Sequence, residues 1–167
     1  MWTRGVVLAL GLSFLAYAGD IPQQAGRGKD LFSEKKCSTC HKLGDTGTAV
    51  GPDLTTIARL SPKAIRVMLT ATRTAYVVAV KQKGGSVFPA MKVSEDAAGT
   101  KFFDLSQMPP ELRTLEKSQI ASVTDNEKWM HPATVAKLED EQVADLIAFI
   151  KFASFGDKKG VNPDDVK

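Results

Sequence analysis

Two hydrophobic periods divide this chain. Towards each end apolar residues return every three or four positions, whereas the middle alternates or runs through β-branched neighbours. Gln24 to Cys40 reads as a helix with Leu31 and Phe32 on its inner side. Gly28, one turn before Phe32, is costly inside a helix and marks a place where another helix approaches closely. Ser61-Pro62 supplies an N-cap followed by proline at the first helical position, so a helix is expected through Ala71, with Ile65, Met68 and Leu69 as its stripe. Leu138, Val143, Leu146, Ile147 and Ile150 mark a closing amphipathic helix, acidic early and carrying Lys151 late, as the helix dipole favours. Phe149 and Phe152 widen its apolar face.

The middle region has strand character. Tyr76-Val77-Val78-Ala79-Val80, the turn Lys83-Gly84-Gly85-Ser86 and Val87-Phe88 predict a hairpin. Lys101 to Leu105 predicts another short strand, Met108-Pro109-Pro110 interrupts the chain, and Leu115 to Val123 predicts a last strand. The expectation is a small antiparallel meander of three or four strands over about 75–124, with Tyr76, Phe88, Phe102 and Phe103 as its core. The polar tail, 156–167, is expected to fray.

The N-terminus reads as a secretory leader over 1–18: Arg4, an apolar run from Val6 to Leu15, and the small-residue cleavage site Ala16-Tyr17-Ala18. The apolar run is short for a membrane span. The expectation is a periplasmic or secreted protein with no stable membrane span after cleavage, an uncleaved anchor being the alternative. What remains, 19–155, suits one compact domain. Twenty-two basic and 19 acidic residues leave a formal charge of +3, which gives no nucleic-acid signal.

The candidate chemistry lies in Cys37-Ser38-Thr39-Cys40-His41, which uses both cysteines and one of the two histidines. Two thiols three residues apart on one turn can each add across a haem vinyl group, and the following imidazole can ligate the iron. Three other readings stay open. A thioredoxin-like dithiol would need a preceding strand, but the preceding stretch has a helical pattern. A zinc site would need Cys37, Cys40, His41 and His131 together. A disulfide across the two-residue gap is the plainest alternative. No Ser/His/Asp set, phosphate-binding loop or second metal cluster is visible, and two histidines leave little for acid–base catalysis.

The helix bearing Gly28 and Phe32, the Cys37–His41 motif, Gly51-Pro52-Asp53-Leu54 and the closing helix together resemble a class I cytochrome c. The resemblance implies a mainly α, cytochrome c-like helical fold around one covalently attached haem c. It implies that the first and last helices cross at Gly28 against Phe149. It also implies that the Pro52 carbonyl accepts a hydrogen bond from the proximal imidazole of His41. The β meander, set between the proline loop and the sixth ligand, is similar to a haem-binding subgroup often attached to dehydrogenase-like proteins.

The family pattern puts a ligand methionine ahead of a proline and the last helix, which selects Met130 in Trp129-Met130-His131-Pro132. His131, Met108, Met91 and an open site are the alternatives. Trp129 would pack on the porphyrin, bond a propionate or anchor the core; Arg59, Arg66 and Arg73 are propionate candidates by charge alone. The implied function is one-electron transfer between redox proteins (a dehydrogenase, another cytochrome or a terminal oxidase) and not catalysis. A haem sensor with a labile sixth site and a haem-free thiol–disulfide protein are the other readings.

Overall fold

The computed structural model describes residues 21–71, 74–131 and 137–167. The expected leader and Pro132 lie outside them.

Among the described residues, three α-helices, α1 (Gln23–Glu34), α2 (Pro62–Thr70) and α3 (Asp140–Phe155), build the first of two cores. α1 crosses α3 at Gly28, where an added Cβ would lie 1.9 Å from the Asp145 carbonyl oxygen and 2.8 Å from Cβ of Phe149. Phe149 in turn meets Phe32 edge-on, with ring centres 5.4 Å apart. Beside the crossing, Arg27 forks onto buried Asp145 with two bonds of 2.7 Å. α2 begins as its sequence predicts: Ser61 Oγ accepts from the Ala64 N–H, Pro62 opens the helix and Ile65 is fully buried. Met68, expected on the buried stripe, is instead exposed. α3 opens with a reciprocal Glu139–Gln142 cap and closes on Gly156 in the left-handed region (φ 69°). Lys151 donates to the carbonyls of Ala58 and Leu60, both at 2.9 Å, and so holds α3 against the short turn Ile57–Arg59.

The mainly α expectation is overturned by the middle of the chain. Strands β1 (Val77–Gln82), β2 (Val87–Glu95), β3 (Thr100–Asp104), β4 (Glu111–Leu115) and β5 (Ile120–Asp125) form one antiparallel sheet in the order β4-β3-β2-β1-β5. The strands hold nearly as many residues as the α-helices, so the chain has a mixed α and β fold. The expected last strand is really two. β4 ends at Leu115 on one edge of the sheet, a capped turn at Lys117–Gln119 follows, and β5 pairs with β1 at the other edge, running in the same direction as β4. β4 and β5 were hard to read because they are edge strands, where only one or two side chains need be apolar.

The sheet has its own interior of Val80, Phe88, Ala90, Phe102 and Leu115. Arg113 lies over the Phe88 ring and pairs at 2.7 Å with buried Asp104, whose carboxylate also accepts from the N–H and hydroxyl of Ser106. Tyr76, expected in this core, is 65% exposed, and Phe103 is half-buried on the opposite face.

The C-terminal segment does not fray. Gln24 at the start of α1 both donates to the carbonyl and accepts from the N–H of Val161, each at 2.8 Å. A 3-10 turn at Pro163–Val166 then places Val166 fully inside the helical core. The tail's many polar residues concealed two well-spaced apolar anchors. No helix among the described residues is long and apolar enough to cross a membrane.

Candidate functional site

α1 stops at Glu34, six residues short of its predicted end, because Lys36 turns into the left-handed region (φ 54°). A 3-10 turn at Cys37–Thr39 follows, and the Cys37 carbonyl accepts from the N–H groups of Cys40 (3.2 Å) and His41 (2.9 Å). Both thiols and the imidazole therefore leave one tight turn. Both cysteines are free thiols and partly buried. Burial pushes the Cys37 thiol up to about 11 and raises that of Cys40 as well.

The loop after His41 is pinned to this turn at successive points. Thr48 donates its N–H to the Ser38 carbonyl (3.1 Å) and its hydroxyl to the Thr39 carbonyl (2.6 Å). Gly51 donates to Cys40 (2.6 Å) and Leu54 to Lys42 (2.8 Å). Two glycines make the wrap possible. A Cβ on Gly47, whose φ is 89°, would lie 2.1 Å from the His41 carbonyl oxygen; one on Gly51 would lie 2.7 Å from Cε1 of the imidazole. The sequence shows a glycine-rich loop, but not that one glycine fits the backbone of His41 and the other its ring.

Pro52 completes the wrap. Its carbonyl oxygen is 2.7 Å from Nδ1 of His41. A carbonyl can only accept, so Nδ1 carries the proton, and in the neutral ring Nε2 keeps its lone pair. The next residue, Asp53, accepts from the Thr55 N–H at 2.8 Å. Hydrogen bonds from the Thr55 side chain and backbone hold its carboxyl below the ordinary range.

The segment that follows β5 also approaches His41. Asn126 donates to the Val77 carbonyl, and Asn126 in turn accepts the Trp129 N–H at both its carbonyl (3.2 Å) and its side-chain oxygen (3.0 Å). The His131 ring centre is 5.8 Å from that of His41, with the planes 42° apart. Trp129 stands edge-on to His131 at 6.2 Å. Met130 is 59% exposed.

The other candidates are dispersed. Met68 and Met108 are exposed. Met91 lines a cleft of about 430 Å³ between the sheet and the Pro52 loop, together with Val50, Gly51, Tyr76 and Phe103. Arg59 covers the Phe155 ring, Arg66 pairs with Asp140, and Arg73 lies outside the described residues. Among the described residues no three His, Cys, Asp or Glu side chains are placed to hold a metal ion, which removes the support for the zinc reading.

Residues 25–103 match the cytochrome c family model. The match runs from α1 into β3 and takes in both thiols, His41 and the Pro52 loop, while α3 and Trp129–His131 lie beyond it. It supports a haem c electron-transfer protein, and the spacing of Cys37 and Cys40 fits the cytochrome signature. No curated protein matches the chain. The residues present fit a covalently held haem: two unpaired thiols, an imidazole with its outer nitrogen anchored, and a glycine at position 51 where a Cβ would meet the ring.

Proposed function

We propose that this chain is a single-haem c-type cytochrome that carries one electron between redox proteins outside the cytoplasm, either as a free carrier or as the cytochrome subunit of a dehydrogenase. The observation that carries the reading is the His41–Pro52 bond beside two free thiols. It leaves Nε2 as the one ring nitrogen able to bind iron and fixes the direction in which it points.

The haem supplies the chemistry, a ferrous–ferric couple that accepts and releases one electron. The chain's residues attach and orient it. The thiols of Cys37 and Cys40 would hold the haem through its two vinyl groups. His41 would offer Nε2 to the iron, and Pro52 holds the proton on the far side of the ring, which makes that nitrogen a better donor. Phe32, Leu43, Leu54 and Phe149 pack behind the motif and exclude water from that side.

The raised thiols weigh against a thiol–disulfide protein. A redox-active dithiol works through a thiolate whose pKa has been lowered, whereas burial here moves Cys37 the opposite way, to about 11. Export through the 1–18 leader fits the proposed location, because haem is attached outside the cytoplasm in the family that the chain resembles.

The test is the pyridine haemochrome spectrum of the exported protein, made in a host that matures c-type cytochromes. A two-thioether spectrum is expected, and the double variant Cys37→Ser, Cys40→Ser should lose its haem to acidified organic solvent. A colourless wild-type protein with both thiols open to alkylation would overturn the reading.

A further inference from the structure

We propose that His131, and not the neighbouring Met130, supplies the second axial ligand of the ferric protein. The inference rests on the cytochrome reading above and deepens it. Imidazole–metal bonds are about 2 Å long, so two imidazoles bound on opposite sides of one ion hold their ring centres about 6 Å apart. The His41 and His131 rings stand 5.8 Å apart.

The approach of His131 is built into the fold. β5 pairs with β1, and the chain that leaves it brings His131 to within 5.8 Å of the His41 ring. Asn126, the first residue past β5, is tied back to Val77 at the start of β1, and it receives the Trp129 N–H through two oxygens. The Trp129 indole then meets His131 edge-on, with the planes 89° apart, which limits how far the imidazole can swing. The sheet thus has a task at the haem: it is the platform from which the distal ligand is presented.

The choice of ligand has a chemical consequence. A thioether opposite histidine raises the reduction potential, and a second imidazole in its place lowers it. This cytochrome would then sit at the reducing end of the range, suited to partners that release electrons at low potential.

The experiment is near-infrared magnetic circular dichroism and electron paramagnetic resonance on the ferric, full-length, haem-loaded protein. Expected is a low-spin bis-imidazole spectrum without the far-red methionine–iron band. Met130→Leu should leave it unchanged, and His131→Ala should abolish it and raise the potential. A methionine–iron band in the wild type that vanishes in Met130→Leu would overturn the assignment, as would a high-spin wild-type spectrum. The pyridine haemochrome of the same sample separates the two claims. A c-type spectrum with a methionine band defeats His131 alone, while absence of haem defeats the cytochrome reading and this inference together.

Discussion

The Pro52 carbonyl reaches back eleven residues to accept the Nδ1 proton of His41 at 2.7 Å. The bond depends on the path between them. That path is held by Thr48 and Gly51 bonding to the Cys37–Cys40 turn, and it lies flat against the imidazole only because position 51 has no side chain. The ring's tautomer and its orientation are thus settled by backbone groups.

Gly51→Ala should disturb the imidazole without removing it. The new Cβ would sit 2.7 Å from Cε1, so either the ring rotates or the Pro52 carbonyl retreats. Expected is a cost of about 1–3 kcal/mol in urea unfolding, the usual range for overpacking, with altered ferric resonance g-values. An unchanged midpoint and unchanged g-values would show that the loop is not in contact with the ring.

Gly28→Ala sets two effects against each other. Alanine favours the helix by about 1 kcal/mol over glycine. Against that, its Cβ would stand 1.9 Å from the Asp145 carbonyl, and main chain inside a helix does not move aside cheaply. Overpacking at a backbone contact costs about 3 kcal/mol, so the net change should be a loss of about 2 kcal/mol, read as a lower denaturant midpoint. A more stable variant would disprove the close crossing.

Asp53 gives a pH dependence of known sign. Its carboxyl is held below the ordinary range by Thr55, so the folded state binds this proton less tightly than the unfolded chain. The stabilisation is present above the ordinary carboxylate pKa of about 4 and is lost as pH falls through the lowered value. Urea midpoints of the wild type should therefore fall in acid more steeply than those of Asp53→Asn. Parallel curves would mean that the Thr55 contacts contribute nothing.

Removing 161–167 should cost about 3 kcal/mol or more. Val161 and Val166 are both buried, and burying a valine side chain contributes about 1.5–3 kcal/mol. Gln24 would lose both of its bonds to Val161 as well. Thermal unfolding of the truncated protein checks this; an unaltered midpoint would mean that the segment is dispensable.

The elements that were legible in the sequence carry strong local signals. Ser61-Pro62 marked the start of α2, the glycine pair after Lys83 marked the first hairpin, and Gly28 marked the helix crossing. The motif from Cys37 to His41 announced its own chemistry, and the Pro52 contact follows the family pattern. What escaped depends on distant partners. β4 and β5 look polar because one side of each is open to solvent, and Val166 looks like part of a solvated tail until the groove beside α3 is known. Residue type alone points Tyr76 to the interior, whereas it stands exposed just outside β1. The nearness of His131 to His41 could not be read from two letters ninety positions apart.

The sheet begins and ends on neighbouring strands: Val78 on β1 faces Asp125 on β5. Seen from the haem-binding helices, everything from 77 to 125 therefore leaves and re-enters at nearly one point, as a single tight turn would. The gap that the helices must bridge is set by the β1–β5 pairing and not by the number of residues between them. To the helical core the whole sheet is thus equivalent to one short connection.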